Sequence, residues 1–161
     1  MKIITKGILV FALFFQAYFL YSDDLSLDIY YLNGEKSKDS HSSDETFALS
    51  GYSMSYSVKY HGRKGKNQHD TVKECTFTEQ NIKNIIATIE KKSLNVNDSL
   101  FTDESKSKSF ESYCNIHLKI VLNGSEYHIK INGDTESLDD NDLYKNSVYF
   151  ITLLRKMAQD C

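Results

Sequence analysis

The chain has 161 residues, a formal net charge of −3, three cysteines, no tryptophan and no proline. That length fills one ordinary hydrophobic core rather than two. The acidic balance argues against nucleic acid as a partner, because phosphate neutralisation needs clustered Lys and Arg, and against an electrostatic membrane role.

The first 22 residues read as a signal peptide. Lys2 and Lys6 precede a run from Gly7 to Tyr21 that is apolar apart from Gln16 and rich in Phe and Leu, and Asp23 and Asp24 follow it. A positive start, an apolar middle and a polar exit are the secretory pattern. The run is shorter than the roughly 20 residues needed to span hydrocarbon, so cleavage after Ser22 is expected over anchoring. Cleavage removes two lysines and no acids, leaving 17 basic against 22 acidic side chains and a charge of −5. The expected location is therefore secreted or periplasmic.

Residues 23–45 read as a flexible N-terminal segment holding one short strand, Leu25 to Leu32, before a Ser-, Lys- and Asp-rich stretch. A single α+β domain is expected over 46–161. Its first strand, Tyr52 to Tyr60, alternates Tyr52, Met54, Tyr56, Val58 and Tyr60 with Ser53, Ser55, Ser57 and Lys59, the period of a sheet with one packed face. Phe47 and Leu49 sit on the opposite parity, so the register must flip before Tyr52, and a bulge or tight turn is expected at Ser50-Gly51, with an unusual backbone at Gly51. A basic loop, His61 to His69, carries Arg63, Lys64 and Lys66, and Thr71 to Phe77 completes a hairpin.

A helix is predicted over 79–92, with Ile82, Ile85, Ile86 and Ile89 on one stripe, Thr76 or Thr78 as cap and Lys91 and Lys92 at its end. Residues 93–109 read as a surface excursion or the seat of function. Cys114, Ile116, Leu118, Ile120 and Leu122 then alternate up to Asn123-Gly124, the strongest signal for a two-residue hairpin turn. Such a turn pairs Leu122 with Ser125, Ile120 with Tyr127, Leu118 with Ile129 and Ile116 with Ile131, which puts the large apolar residues on one face. A second helix is predicted from Asp142 to Ala158. The order ββαββα implies two layers: an antiparallel-rich sheet of about four to five strands in two hairpins, with two helices on one face and the other face open.

Three thiols in an exported chain imply one disulfide and one leftover thiol. A right-handed crossover makes the strands of Cys75 and Cys114 parallel, and the last helix then carries Cys161 away from Cys114 and towards Cys75. The expected pair is Cys75 with Cys161, with Cys75/Cys114 second, and Cys114 is the expected buried thiol. No spacing supplies the four ligands of a zinc site, and neither a cofactor nor a catalytic residue is expected. Tyr30, Tyr31, Tyr52, Tyr56 and Tyr60 could form an aromatic platform for a sugar or protein partner, but Tyr52, Tyr56 and Tyr60 read first as the buried edge of the core.

The function expected from these features is non-enzymatic binding, or inhibition, of another protein or an envelope component. Candidate surfaces are the open sheet face (Tyr113, Asn115, His117, Lys119, Glu126, His128, Lys130) and the basic loop at Arg63, Lys64 and Lys66. The competing classes are a small hydrolase using Cys114 with His117 or His69, and a membrane-anchored structural envelope protein.

Overall fold

The computed structural model describes residues 24–35, 42–62, 69–102 and 112–161. The predicted signal peptide and the basic side chains Arg63, Lys64 and Lys66 lie outside these described residues. Seven strands form one mixed sheet: β1 (Leu25–Glu35), β2 (Ser42–Ser50), β3 (Ser53–His61), β4 (Thr71–Thr76), β5 (Asp98–Phe101), β6 (Ser112–Leu122) and β7 (Ser125–Asp134). Among the described residues three helices accompany them: α1 (Glu79–Lys91), the single turn α2 (Thr135–Leu138) and α3 (Asp142–Gln159).

The strands are ordered β4-β3-β2-β1-β6-β7-β5. All neighbours are antiparallel except β5 and β7, which run parallel. This corrects the expected ββαββα arrangement of four to five strands. Two causes account for the difference. Of the bulge or tight turn expected at Ser50-Gly51 the structure shows the turn, in which Gly51 takes φ +58° and Ser50 pairs with Ser53, so residues 42–50 are a strand of their own. A glycine at the first turn position supplies the positive φ that tight hairpins require. Phe47, Leu49, Met54 and Tyr56 therefore share one buried face on two strands, and Tyr52 sits exposed in the turn. The second cause is β5, four residues whose parallel partner lies beyond β6 in sequence.

The largest departure is β1. It occupies the middle of the sheet, paired to β2 on one side and β6 on the other along its length. Leu25, Leu27, Ile29 and Tyr31 point into the core, and Ser26, Asp28, Tyr30 and Leu32 face the other way. Strands of alternating character hold one face dry and leave the other polar.

The remaining elements form for local reasons. Asn123 (φ 52°) and Gly124 (φ 75°) are both left-handed, as a type I′ turn demands, and β6 and β7 pair in the register read from the sequence. Thr78 caps α1 through a reciprocal capping box, its hydroxyl accepting from the Asn81 amide at 3.2 Å while Asn81 Oδ1 accepts from the Thr78 amide at 2.9 Å. The α1 stripe Ile82, Ile85 and Ile89 and the α3 stripe Tyr144, Phe150, Ile151, Leu154 and Ala158 are buried. Asn146 donates to the Lys92 carbonyl and ties the two helices together. One contiguous core, from Leu25 on β1 to Ala158 on α3, results.

Inside it lies a charge. Glu45 of β2 is only 6 % exposed and accepts two hydrogen bonds from the Arg155 guanidinium of α3, both 2.8 Å, and one from the Tyr56 hydroxyl at 3.0 Å. The hydrogen bond to Glu45 raises the Arg155 pKa. A buried carboxylate needs this degree of satisfaction to be tolerated.

Candidate functional site

The outward residues of β1, β6 and β7 form rows set by the strand register. Tyr30, His117 and Lys130 make one row, and Asp28, Lys119 and His128 the next. Between them is a shallow depression of about 220 Å³, lined by Asp28, Tyr30, His117, Lys119, His128 and Lys130 and floored by Leu118 and Ile129.

Glu126 organises one side. Its carboxylate accepts from Lys119 Nζ at 3.0 Å and from His128 Nε2 at 2.6 Å, and these two donors, Lys119 first, lower its pKa. The His128 backbone amide donates to Asn97 Oδ1 at 2.8 Å, which ties the approach to β5 onto this part of β7. On the other side, the Tyr30 and His117 rings meet edge-on at 6.2 Å. The Tyr30 hydroxyl reaches Asp44 Oδ1 at 3.4 Å, and His61 Nε2 lies 2.8 Å from Asp44 Oδ2. Burial, then the Asp44 charge, raises the Tyr30 pKa. A polar line thus crosses the sheet from β3 to β7.

The sheet brings His117, Lys119, Glu126, His128 and Lys130 to one face, with Tyr113 and Asn115 beside them. Sequence reading missed Asp28 and Asp44. Pairing β1 with β6 would have placed Asp28 next to Lys119, but nothing local announces that pairing. The face also carries Phe101, 64 % exposed on β5 opposite Asn132. Among the described residues Lys130 has no ion-pair partner, so it is the most available cation of this face, with the His117 imidazole beside it.

The thiol and histidine arrangement of a hydrolase is not assembled at Cys114. Cys114 and His117 are three residues apart on a strand and so face opposite sides, the thiol fully buried and the imidazole exposed. His69 is exposed before β4. Burial pushes the Cys114 thiol up to about 11, partly offset by a hydrogen bond to Tyr144; a reactive thiol needs the opposite shift. Among the described residues no three His, Cys, Asp or Glu side chains converge as a metal site requires.

These raised values carry a pH dependence. A group whose pKa is higher folded than unfolded stabilises the fold below its unfolded value, and that contribution is lost as pH rises towards the folded one. For Cys114 the window runs from its ordinary 9.0 to about 11. For Tyr31, shifted mainly by burial, it runs from 10.0 to about 12. Stability is expected to be level from pH 7 to 9 and to fall above that, with Cys114 inert to alkylation at pH 8 until the chain unfolds. Urea midpoints across pH 7–11, with alkylation followed by mass spectrometry, check both; rapid labelling of folded Cys114 would contradict the buried placement.

No protein-family model matches the chain, and no curated protein is significantly similar to it.

Proposed function

We propose that the chain is an exported, non-enzymatic binding protein that engages another protein or an envelope component through the exposed face of its sheet. One observation carries this reading: the outward rows of β1, β6 and β7 surround a depression in which the His117 imidazole and the Lys130 ammonium stand side by side while Glu126 holds the neighbouring Lys119 and His128. Interfaces combine a few anchoring aromatic and charged groups with a polar rim. Here Tyr30 and Phe101 supply aromatic surface, and the uncompensated Lys130 favours an acidic group on the partner. Export rests on the pattern of residues 1–22, and among the described residues no helix is long and apolar enough to cross a membrane.

The test is site-specific photocrosslinking in the native host, from position 119 on the sheet face and from the exposed helix position Tyr149 as control. Adducts are expected from position 119 only, and Lys130→Glu should reduce them at least tenfold, the weight of a lost charge contact at an interface. Because Lys130 is exposed, its substitution should leave the unfolding midpoint unchanged. Equal adducts from both positions would remove the reading. So would turnover of a substrate that disappears in His117→Ala, which belongs to the hydrolase alternative. A mature N-terminus at Asp23 tests the export half separately.

A further inference from the structure

Independently of the binding face, the end of α3 meets the edge strand β4 beside a buried thiol. Cys75 is buried at the core face of the edge strand β4. The last turn of α3 crosses it, and both partners are already tied to each other. Lys73 of β4 donates to the carbonyls of Ala158 and Gln159 at 3.3 and 3.1 Å, and Cys75 Sγ donates to the Ala158 carbonyl at 3.7 Å. Helix α3 ends at its cap, Asp160, and the next residue, Cys161, is near enough to Cys75 to contribute to raising its pKa. Cys75 and Cys161 are free thiols, as is Cys114, which lies on β6 three strands further into the sheet than β3.

From this juxtaposition we infer that Cys75 and Cys161 form a disulfide clasp that fastens the end of α3 to the β4 edge when the chain meets a disulfide-bearing oxidant. The two thiols differ in access, and this fixes the order of events. Cys161 is exposed and reacts first: its thiolate attacks an external disulfide, forming a mixed disulfide and releasing one external thiolate. The Cys75 sulfur, deprotonated by that thiolate or by water, then attacks the Cys161 sulfur, and the second external thiol leaves. Two protein thiols are oxidised and one external disulfide is reduced to two thiols, so electrons and protons balance. Burial and the Cys161 contact push the Cys75 thiol up to about 11, which keeps Cys75 from reacting with an outside reagent in the first step.

The two thiols are unbonded in this structure, so closure requires the chain end to move towards β4. Disulfide formation requires the two Cα atoms within roughly 7 Å and a suitable torsion. Cys161 stands beyond the helical hydrogen bonds, so the rotation falls on residues 160 and 161 rather than on α3. The clasp closes a long loop, the situation in which a cross-link most restricts the unfolded chain.

The full chain, treated with oxidised glutathione, is denatured, alkylated without reduction and weighed. The expected product is about 2 Da lighter than the reduced chain before alkylation and takes up one alkyl group, at Cys114, with a Cys75–Cys161 linked peptide after digestion. Reduction should lower its melting temperature by several degrees, and Cys161→Ser, which changes an exposed residue, should abolish the redox dependence while folding normally. A stable glutathione adduct on Cys161 that never resolves, three alkylated thiols, or linkage through Cys114 would overturn the inference.

Discussion

Replacing Glu45 with alanine is expected to remove about 3 kcal/mol of stability, the lower end of the range for breaking a buried ion pair. The carboxylate is the acceptor for both the Arg155 guanidinium and the Tyr56 hydroxyl, so its loss leaves two donors facing the core. Arg155 retains 29 % side-chain exposure and can recover some water, which keeps the loss at that lower end. For a domain of this size the melting temperature should fall by about 10 °C. The paired change Glu45→Leu with Arg155→Met should recover most of the loss, since a well-packed apolar pair often equals a buried ion pair. Tyr56→Phe, which removes only one hydrogen bond to the carboxylate, should cost about 1 kcal/mol. Denaturant unfolding of the three variants measures all of this, and a single Glu45→Ala that melts with the parent chain would place Glu45 at the surface.

Phe47→Ala should be comparably severe, about 3–5 kcal/mol. Phe47 is fully buried and its ring stacks on Tyr56 at 4.8 Å, so the cavity opens under β2 and β3 and cannot collapse without moving a strand. Phe101→Ala provides the contrast: the same side chain is removed from an exposed position on β5, and the unfolding midpoint should move by no more than about 0.5 kcal/mol. Near-equal effects of the two substitutions would mean that β2 is peripheral. Because Glu45 and Phe47 both touch Tyr56, their effects should not add.

What the sequence revealed and what it hid divide along local and non-local lines. The β6–β7 hairpin was legible down to its register because Asn123-Gly124 and the alternation from Cys114 to Ile131 agree with each other over neighbouring residues. The helices were legible for the same reason, from Thr78 and the isoleucine stripe in α1 and the apolar stripe in α3. Strand β2 was hidden by its own chemistry. Ser42, Ser43, Asp44 and Glu45 have the composition of a loop, and only Arg155, distant in sequence, makes Glu45 an interior residue. Strand β1 showed its alternation, but its central place depends on β6, and β5 depends on a parallel partner that no turn residue announces. The candidate site was legible in half: the face from His117 to Lys130 followed from one hairpin, whereas Asp28, Tyr30 and Asp44 joined it only through the unread pairings of β1 and β2.

The central position of β1 also sets a timetable. A chain emerging from the ribosome presents β1 before the other described strands, and its hairpin partner β2 follows, but the other side of β1 stays open until residues 112–122 have arrived. Closing so long a loop is slow compared with forming local hairpins and helices. Until then the strand that will be the spine of the sheet offers an unpaired edge, and no complete core exists for the earlier segments to settle on. Assembly is thereby postponed to the moment when most of the chain is present, a delay that favours passage in an extended state and places a premium on protecting that edge from other chains in the interval.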